Sequence, residues 1–190
     1  MTLILPFQLL PFLGVAASVV VALLFAVAGI DKLRHRDLLP GVIANYRLLP
    51  EALVVPVAML LPTGELVVAA GLVLGFAPLA PLAAIALLLV FAAAMAINIG
   101  RGRRHIDCGC GHAGLRQKLG WGQVARNVIL AGALVPALGA GRSSLGTADL
   151  AVAFAAGAAA YLLLLMFSAL GALAASAPGQ PPPRLRQGRI

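Results

Sequence analysis

Long apolar runs alternate along the chain with short polar connections. Five runs are long and apolar enough to predict membrane-spanning helices, because a helix needs about 20 mainly apolar residues to cross the hydrocarbon core of a bilayer. They cover residues 10–30, 52–76, 82–99, 124–138 and 148–174. The fourth run is short and carries Arg126 and Asn127 near its start, which leaves a count of four spans open.

These runs predict an all-α fold, a polytopic bundle of membrane helices, because lipid-exposed backbone must satisfy its hydrogen bonds within the helix. Pro56 and Pro62 are expected to break the second span. Residues 1–8 carry no Lys or Arg, so the first run is predicted to be a retained helix and not a cleaved signal peptide. The bundle is predicted to cover residues 1–175, and residues 176–190, rich in proline and arginine, are predicted to be a disordered tail.

Composition supports a membrane environment. The chain is 62% hydrophobic and 11% charged, with a mean hydropathy of +1.02. Its net charge is +8, from 14 Lys and Arg against 6 Asp and Glu. Such an excess in a soluble protein would indicate a nucleic-acid partner. Here the tendency of basic residues to stay in cytoplasmic loops explains the charge, and no nucleic-acid partner is predicted.

The basic residues are distributed unevenly between the two ends of the predicted bundle. Thirteen of the 14 fall in segments 31–47 and 101–126 and in the tail, and Arg142 is alone at the other end. The positive-inside rule therefore predicts an N-terminus outside and a C-terminus in the cytoplasm. The same rule places the connection 100–120 at the cytoplasmic face.

That connection holds the only two cysteines, Cys108 and Cys110. Arg101, Arg103 and His105 precede them, and cationic neighbours favour the reactive thiolate form of cysteine. Gly109 permits the tight backbone that a bond between these cysteines requires, and the strain of such a small ring makes the bond easy to reduce. The pattern favours a redox pair that exchanges disulfides.

Two other interpretations of the cysteines stay open. Buried cysteines are common as small core residues without any reaction. A zinc or copper site would use Cys108 and Cys110 with His105 or His112, and Asp107 as a further ligand. Cys-x-Cys is a weak metal signature without a second ligand pair, so no metal is assigned.

Glu65 is the one carboxylate deep within a predicted span. A charge there is costly, so it indicates either ion or solute transport or a structural partner of a basic residue. Segment 31–37 is most simply a solvated turn at the membrane surface. Residues 45–47 predict a short interfacial helix, and Asn98 is explained by hydrogen bonding within the bundle.

Five groups of residues in this order carry a family resemblance. They are residues 28–35 (Ala-Gly-Ile-Asp-Lys-Leu-Arg-His), residues 45–51, Leu61-Pro62-x-x-Glu65, residues 97–110, and Trp121 with Arg126-Asn127. The order resembles the MauE family of methylamine-utilisation proteins, within the wider DoxX-like group of membrane proteins. The likeness spans about residues 20–130, and its specific part is the run Arg-Gly-Arg-x-His-Ile-Asp-Cys-Gly-Cys at 101–110.

The resemblance implies an accessory protein of a bacterial inner membrane that assists maturation, processing or export of the methylamine dehydrogenase small subunit. The implied partners are that subunit, a thioredoxin-like MauD-type protein and the lipid bilayer. Cys108 and Cys110 would be the exchanging pair, supported by the side chains His105, Asp107, Arg101, Arg103 and Glu65. No cofactor is implied, and no enzymatic activity beyond thiol–disulfide exchange.

The implied client and the predicted topology lie on opposite sides of the membrane. The small subunit is periplasmic, whereas the charge count places Cys108 and Cys110 at the inner face. Either the cysteine segment enters the bundle and alternates in access, or the topology is reversed or the span count is wrong. The charge asymmetry favours the first. A solute transporter using Glu65, a metal-handling protein and a structural partner of a redox complex remain as other hypotheses.

Overall fold

The apolar runs fold as helices. The computed structural model describes residues 5–103, 119–139 and 145–176, and the side chains of those between 9 and 171. Within these ranges there are seven helices and no strand. The helices are α1 (Leu5–Arg34), α2 (Leu39–Tyr46), α3 (Glu51–Leu74), α4 (Leu79–Gly100), α5 (Trp121–Ala133), α6 (Pro136–Gly139) and α7 (Thr147–Ser176).

Four of the described helices, α1, α3, α4 and α7, are long and apolar enough to cross a membrane. They correspond to the predicted spans 10–30, 52–76, 82–99 and 148–174. The prediction of an all-α membrane bundle is therefore confirmed. The first residue of the predicted tail, Ser176, is the last residue of α7, and residues 177–190 lie outside the described residues.

The remaining predicted span, 124–138, is divided between α5 and α6. A helix of 13 residues such as α5 is about 20 Å long, short of the ~30 Å hydrocarbon core. α5 ends at Ala133 because Pro136 has no N–H to donate to the carbonyl of Gly132. That carbonyl instead accepts a hydrogen bond from the N–H of Val135, at 3.1 Å, in the turn before α6.

Together, α5 and α6 connect the two ends of the bundle. Leu119, just before α5, packs with Met95 and Ile99 near the end of α4. Ala137 in α6 lies against Gly14 near the start of α1, where an added Cβ would approach the Ala137 nitrogen to 3.0 Å. We call the end that holds Lys32, Arg47 and Arg101 the basic end, and the end near Gly14, Ala137 and Leu145 the distal end.

α1 is the central helix. It contacts α3, α5, α6 and α7. Phe25 of α1 is fully buried in a core that also contains Leu72, Leu88 and Leu134. In lipid, such packing depends on close van der Waals contact. Gly157 gives α7 that contact, because an added Cβ would lie 2.6 Å from the Ala16 carbonyl oxygen.

α3 passes through both of its prolines without a break, so the predicted interruption of this span is wrong. Next to Pro62, the hydroxyl of Thr63 donates a hydrogen bond to the carbonyl of Leu60 at 2.8 Å.

A short helix is present here, but it lies earlier than the predicted 45–47: α2 begins at Leu39 and ends at Tyr46, and it packs against α3. Arg47 follows it as the C-cap residue, with a φ of 48° in the left-handed region.

Candidate functional site

Cys108, Cys110, His105 and Asp107 lie outside the described residues, within segment 104–118. The residues that flank this segment are described on both sides. Arg103 precedes it and Leu119 follows it. Their contacts define where the cysteine segment leaves and rejoins the bundle.

Asn98, in the last turns of α4, holds the first flank. It is fully buried, and its amide nitrogen donates to the carbonyl of Ala94 at 3.1 Å. Its side-chain oxygen accepts a hydrogen bond from Nη1 of Arg103 at 3.2 Å, and its backbone carbonyl accepts from the Arg103 N–H at 2.9 Å. The predicted bundle hydrogen bonding of Asn98 is therefore confirmed, and it also orients Arg103.

The second flank is held by packing and by a helix start. Leu119 is 3% exposed and packs with Met95 and Ile99 of α4. The N–H of Gly120 donates to Oε1 of Gln123 at 2.6 Å, which satisfies a backbone donor at the start of α5. Both flanks of the cysteine segment therefore contact the final turns of α4.

Arg101 connects the cysteine side of the basic end to α2. Its Nη1 donates to the carbonyl of Arg47 at 3.4 Å, a long hydrogen bond on the surface. The structure thus brings the Arg-Gly-Arg run next to the residues that follow α2. Two sequence groups that are 54 residues apart meet at this point.

Glu65 forms a buried ion pair with Lys32. Nζ of Lys32 donates to Oε1 at 2.6 Å and to Oε2 at 2.8 Å. Glu65 is fully buried and Lys32 is 7% exposed. The ammonium also lies 5.5 Å from the centre of the Phe91 ring, within the range of a cation–π contact. Such a buried ion pair is expected if Glu65 is a structural partner of a basic residue.

The prediction of a solvated turn at segment 31–37 is wrong for Lys32. The exposed residues of that turn begin after it, with Leu33 and Arg34. Two signals in the sequence point to its burial. A lone carboxylate in a span requires a cationic partner. Lys32 also shares a helix face with Gly29, three residues earlier, which packs against Pro62 and Leu66 of α3.

The sequence groups therefore occur as spatial pairs. The group at residues 28–35 meets Leu61-Pro62-x-x-Glu65 through Gly29 and Lys32. The pair lies close to the level of Phe91 in α4, seven residues before Asn98, or about 10 Å along the helix axis. Of the predicted site residues, Arg101 and Arg103 lie together at the basic end, and Glu65 lies deeper in the bundle.

Comparison with known proteins identifies the family to which this chain is similar. A family model described as "Methylamine utilisation protein MauE" matches residues 10–140. Among curated relatives, "Methylamine utilization protein MauE" from Paracoccus denitrificans is 45% identical over 174 residues, covering 90% of this chain and 93% of the relative.

Two further relatives of the same name have similar identity. The protein from Paracoccus versutus is 45% identical over 175 residues, covering 88% of this chain and 92% of the relative. The protein from Methylorubrum extorquens is 43% identical over 162 residues, covering 82% of this chain and 85% of the relative. No solved structure matches. From the family match and these relatives, the chain belongs to the MauE family.

Proposed function

We propose that this chain is a membrane-embedded accessory protein of methylamine utilisation that exchanges disulfides through Cys108 and Cys110. The names of its relatives support the methylamine-utilisation role. The observation that carries the exchange role is the attachment of both flanks, Arg103 and Leu119, to the end of α4. These two attachments determine where the chain leaves the bundle before the cysteines and where it rejoins the bundle after them.

The exchange proceeds through a mixed disulfide. A thiolate of the partner attacks the disulfide between Cys108 and Cys110, and one of these two sulfurs leaves as a thiolate. The second thiol of the partner then attacks the mixed bond. The partner becomes a disulfide, and the pair is released as two reduced thiols. Arg101 and Arg103 favour the leaving thiolate by their positive charge, with His105 and Asp107 as neighbouring supporting groups.

The proposed partners are a thioredoxin-like MauD-type protein and the small subunit of methylamine dehydrogenase. The proposed location is the bacterial inner membrane, with the N-terminus outside and the C-terminus in the cytoplasm. In this orientation the basic end faces the cytoplasm. Access of the cysteine pair then alternates between a partner at that face and a periplasmic thioredoxin-like partner.

The first experiment traps the mixed disulfide. In intact cells, the Cys108→Ser and Cys110→Ser single variants leave one thiol that cannot be resolved by its neighbour. We expect at least one of them to accumulate a disulfide-linked complex with the partner, seen on non-reducing gels. The double variant, with no cysteine, is the matched control and yields no complex. Absence of any mixed disulfide in both single variants would contradict the exchange role.

A second measurement follows the client. The double Cys→Ser variant is expected to lower the amount of mature small subunit, while membrane levels of this chain stay normal. The native thiols are then labelled with a membrane-impermeant maleimide, before and after reduction. This labelling shows on which side of the membrane the thiols are accessible and whether Cys108 and Cys110 form a disulfide. Normal client maturation without either cysteine would exclude the proposal.

Solute transport through Glu65 is less well supported. Both carboxylate oxygens are bonded to Lys32, which leaves the pair neutral overall. This arrangement favours a structural role for the carboxylate. The transport hypothesis requires that loss of both thiols is harmless and that Glu65→Gln abolishes function in a stably folded protein.

A further inference from the structure

A cavity of about 300 Å³ lies at the basic end between α2, α3 and α4. Its walls are apolar side chains, with the aromatic rings of Phe91 and Tyr46 among them and Lys32 as its one charged residue. Its volume is at the lower limit of pockets that hold small ligands. The lining residues are Lys32, Leu39, Val42, Ile43, Tyr46, Leu48, Leu49, Val57, Leu61, Val90, Phe91, Ala94 and Met95.

The cavity is open at the outer surface of the helix bundle. Val90 of α4 is 61% exposed and Leu49 is 38% exposed, and both also line the cavity. Because α4 is a membrane-spanning helix, the molecules that meet this opening are dissolved in the bilayer. The occupant must therefore have an apolar body.

The polar group of the occupant must be one that the Lys32 ammonium can bind. Two of its three ammonium hydrogens are directed to the two oxygens of Glu65, which neutralise its charge. Among the described residues, the third hydrogen has no protein acceptor. A neutral oxygen acceptor satisfies that hydrogen without adding charge, whereas a carboxylate or phosphate would add an unpaired negative charge in an apolar site.

We propose that this cavity binds the ring of a membrane-soluble quinone, with one quinone carbonyl accepting a hydrogen bond from Lys32. A quinone combines an apolar tail, a flat ring suited to Phe91 and Tyr46, and a neutral carbonyl oxygen. The three properties match the opening, the walls and the polar group of the cavity.

The identification of the occupant as a quinone also rests on the proposed function, because a quinone accepts the electrons and protons that a dithiol releases when it forms a disulfide. Oxidation of two thiols to a disulfide gives two electrons and two protons, and one quinone takes up both to become a quinol. Met95, Tyr46 and Phe91 line the cavity and also belong to the cluster that holds Leu119, beside the end of the cysteine segment. The cavity and the attachment of that segment therefore share side chains.

Binding is tested with purified full-length protein in lipid nanodiscs and decyl-benzoquinone as the probe, by isothermal titration calorimetry. Ala94→Phe places a ring inside the cavity and is expected to weaken binding by at least about tenfold. Ala93→Phe makes the same change on the adjacent exposed residue of α4, outside the cavity lining, and is expected to bind as the wild type does. Equal binding by the two variants would overturn the proposal.

The hydrogen-bond donor is tested by removing the ion pair as a unit. Lys32→Met with Glu65→Leu replaces both groups by apolar side chains and leaves no unpaired charge. It is expected to weaken quinone binding about tenfold while the protein stays folded. Decanol and decanoate serve as comparison ligands without a quinone carbonyl. Stronger binding of decanoate than of the quinone would overturn the assignment.

The cysteine-free variant distinguishes failure of this inference from failure of the proposed function. Cys108→Ser with Cys110→Ser is expected to bind the quinone normally, because no cavity residue changes. In the wild type, the quinone is expected to oxidise the reduced pair, and Ala94→Phe is expected to slow that reaction. A pair that forms mixed disulfides with its partner in a protein that does not bind quinone would overturn this inference alone. Normal quinone binding without any thiol reaction would overturn the proposed function alone.

Discussion

Lys32 of α1 and Glu65 of α3 form one neutral unit that joins two membrane helices. The ammonium donates to both carboxylate oxygens, at 2.6 and 2.8 Å, and the pair is almost completely buried. Gly29 lets the two backbones approach one turn earlier in α1, against Pro62. The ion pair therefore fixes how far α1 advances along α3, because a shift by one turn would separate both contacts.

Loss of one member of the pair is expected to destabilise the bundle. Glu65→Gln leaves the Lys32 charge buried without a counter-charge, and we expect a loss of about 3–5 kcal/mol in the free energy of unfolding. Glu51→Gln is the matched control, because Glu51 is exposed at the first residue of α3, and it is expected to cost less than ~1 kcal/mol. Reversible unfolding in mixed detergent micelles measures both. A Glu65→Gln protein as stable as the wild type would show that the pair does not hold the helices.

Gly157 is expected to tolerate no side chain. A Cβ at this position would lie 2.6 Å from the Ala16 carbonyl oxygen and 2.7 Å from Cβ of Val19. Gly157→Ala should therefore separate α7 from α1 and cost about 1–3 kcal/mol. Gly171→Ala, in the same helix with open space around it, should be neutral or slightly stabilising. The two variants are compared by thermal unfolding in detergent, and equal midpoints would contradict this close approach.

The contact that holds Arg103 against Asn98 is expected to affect how fast the thiols of the cysteine segment react. Arg103→Gln removes the guanidinium that bonds to the buried Asn98, so the first flank loses its side-chain contact. We expect a change of about threefold or more in the rate at which maleimide modifies the reduced thiols. Arg101→Gln removes a similar charge on an exposed side chain with a longer contact, of 3.4 Å. It should change the rate less. Equal effects would mean that charge alone matters and that the Asn98 contact does not.

The crossing by α5 and α6 predicts which reporter residues share a side of the membrane. In the cysteine-free background, Arg36→Cys at the basic end and Gly146→Cys, next to Leu145 at the distal end, should be labelled from opposite sides by an impermeant maleimide. Ala77→Cys should be labelled from the same side as Gly146→Cys, because Ala77 and Ala137 line the same cavity at the distal end. Labelling of Arg36→Cys and Gly146→Cys from one side would show that this part of the chain does not cross.

The hydropathy pattern was sufficient to predict the long helices, because lipid allows little other than a helix for an apolar run. It was not sufficient for span 124–138, where a single proline determines that two short helices replace one. For Pro56 and Pro62 the prediction was wrong in the opposite direction, because a break was expected and the helix is continuous. The same residue type leaves α3 continuous at both positions. Proline alone does not distinguish the two cases.

At the site, residue type identified Glu65 but not its partner. Lys32 follows Asp31 and precedes a charged, exposed segment, so local sequence places it in solvent. Its burial depends on a contact 33 residues away in the chain. The cavity beside it depends on how α2 returns against α3 and α4, and no local pattern encodes that return.

The central position of α1 has a consequence for biogenesis. It precedes every other described helix along the chain, and α3, α5, α6 and α7 all pack on it. During synthesis the surface that receives each later helix is thus already in the bilayer when that helix emerges. Errors in the insertion of α1 would deprive all of these helices of their partner at once, whereas errors in α7 would leave the earlier contacts in place.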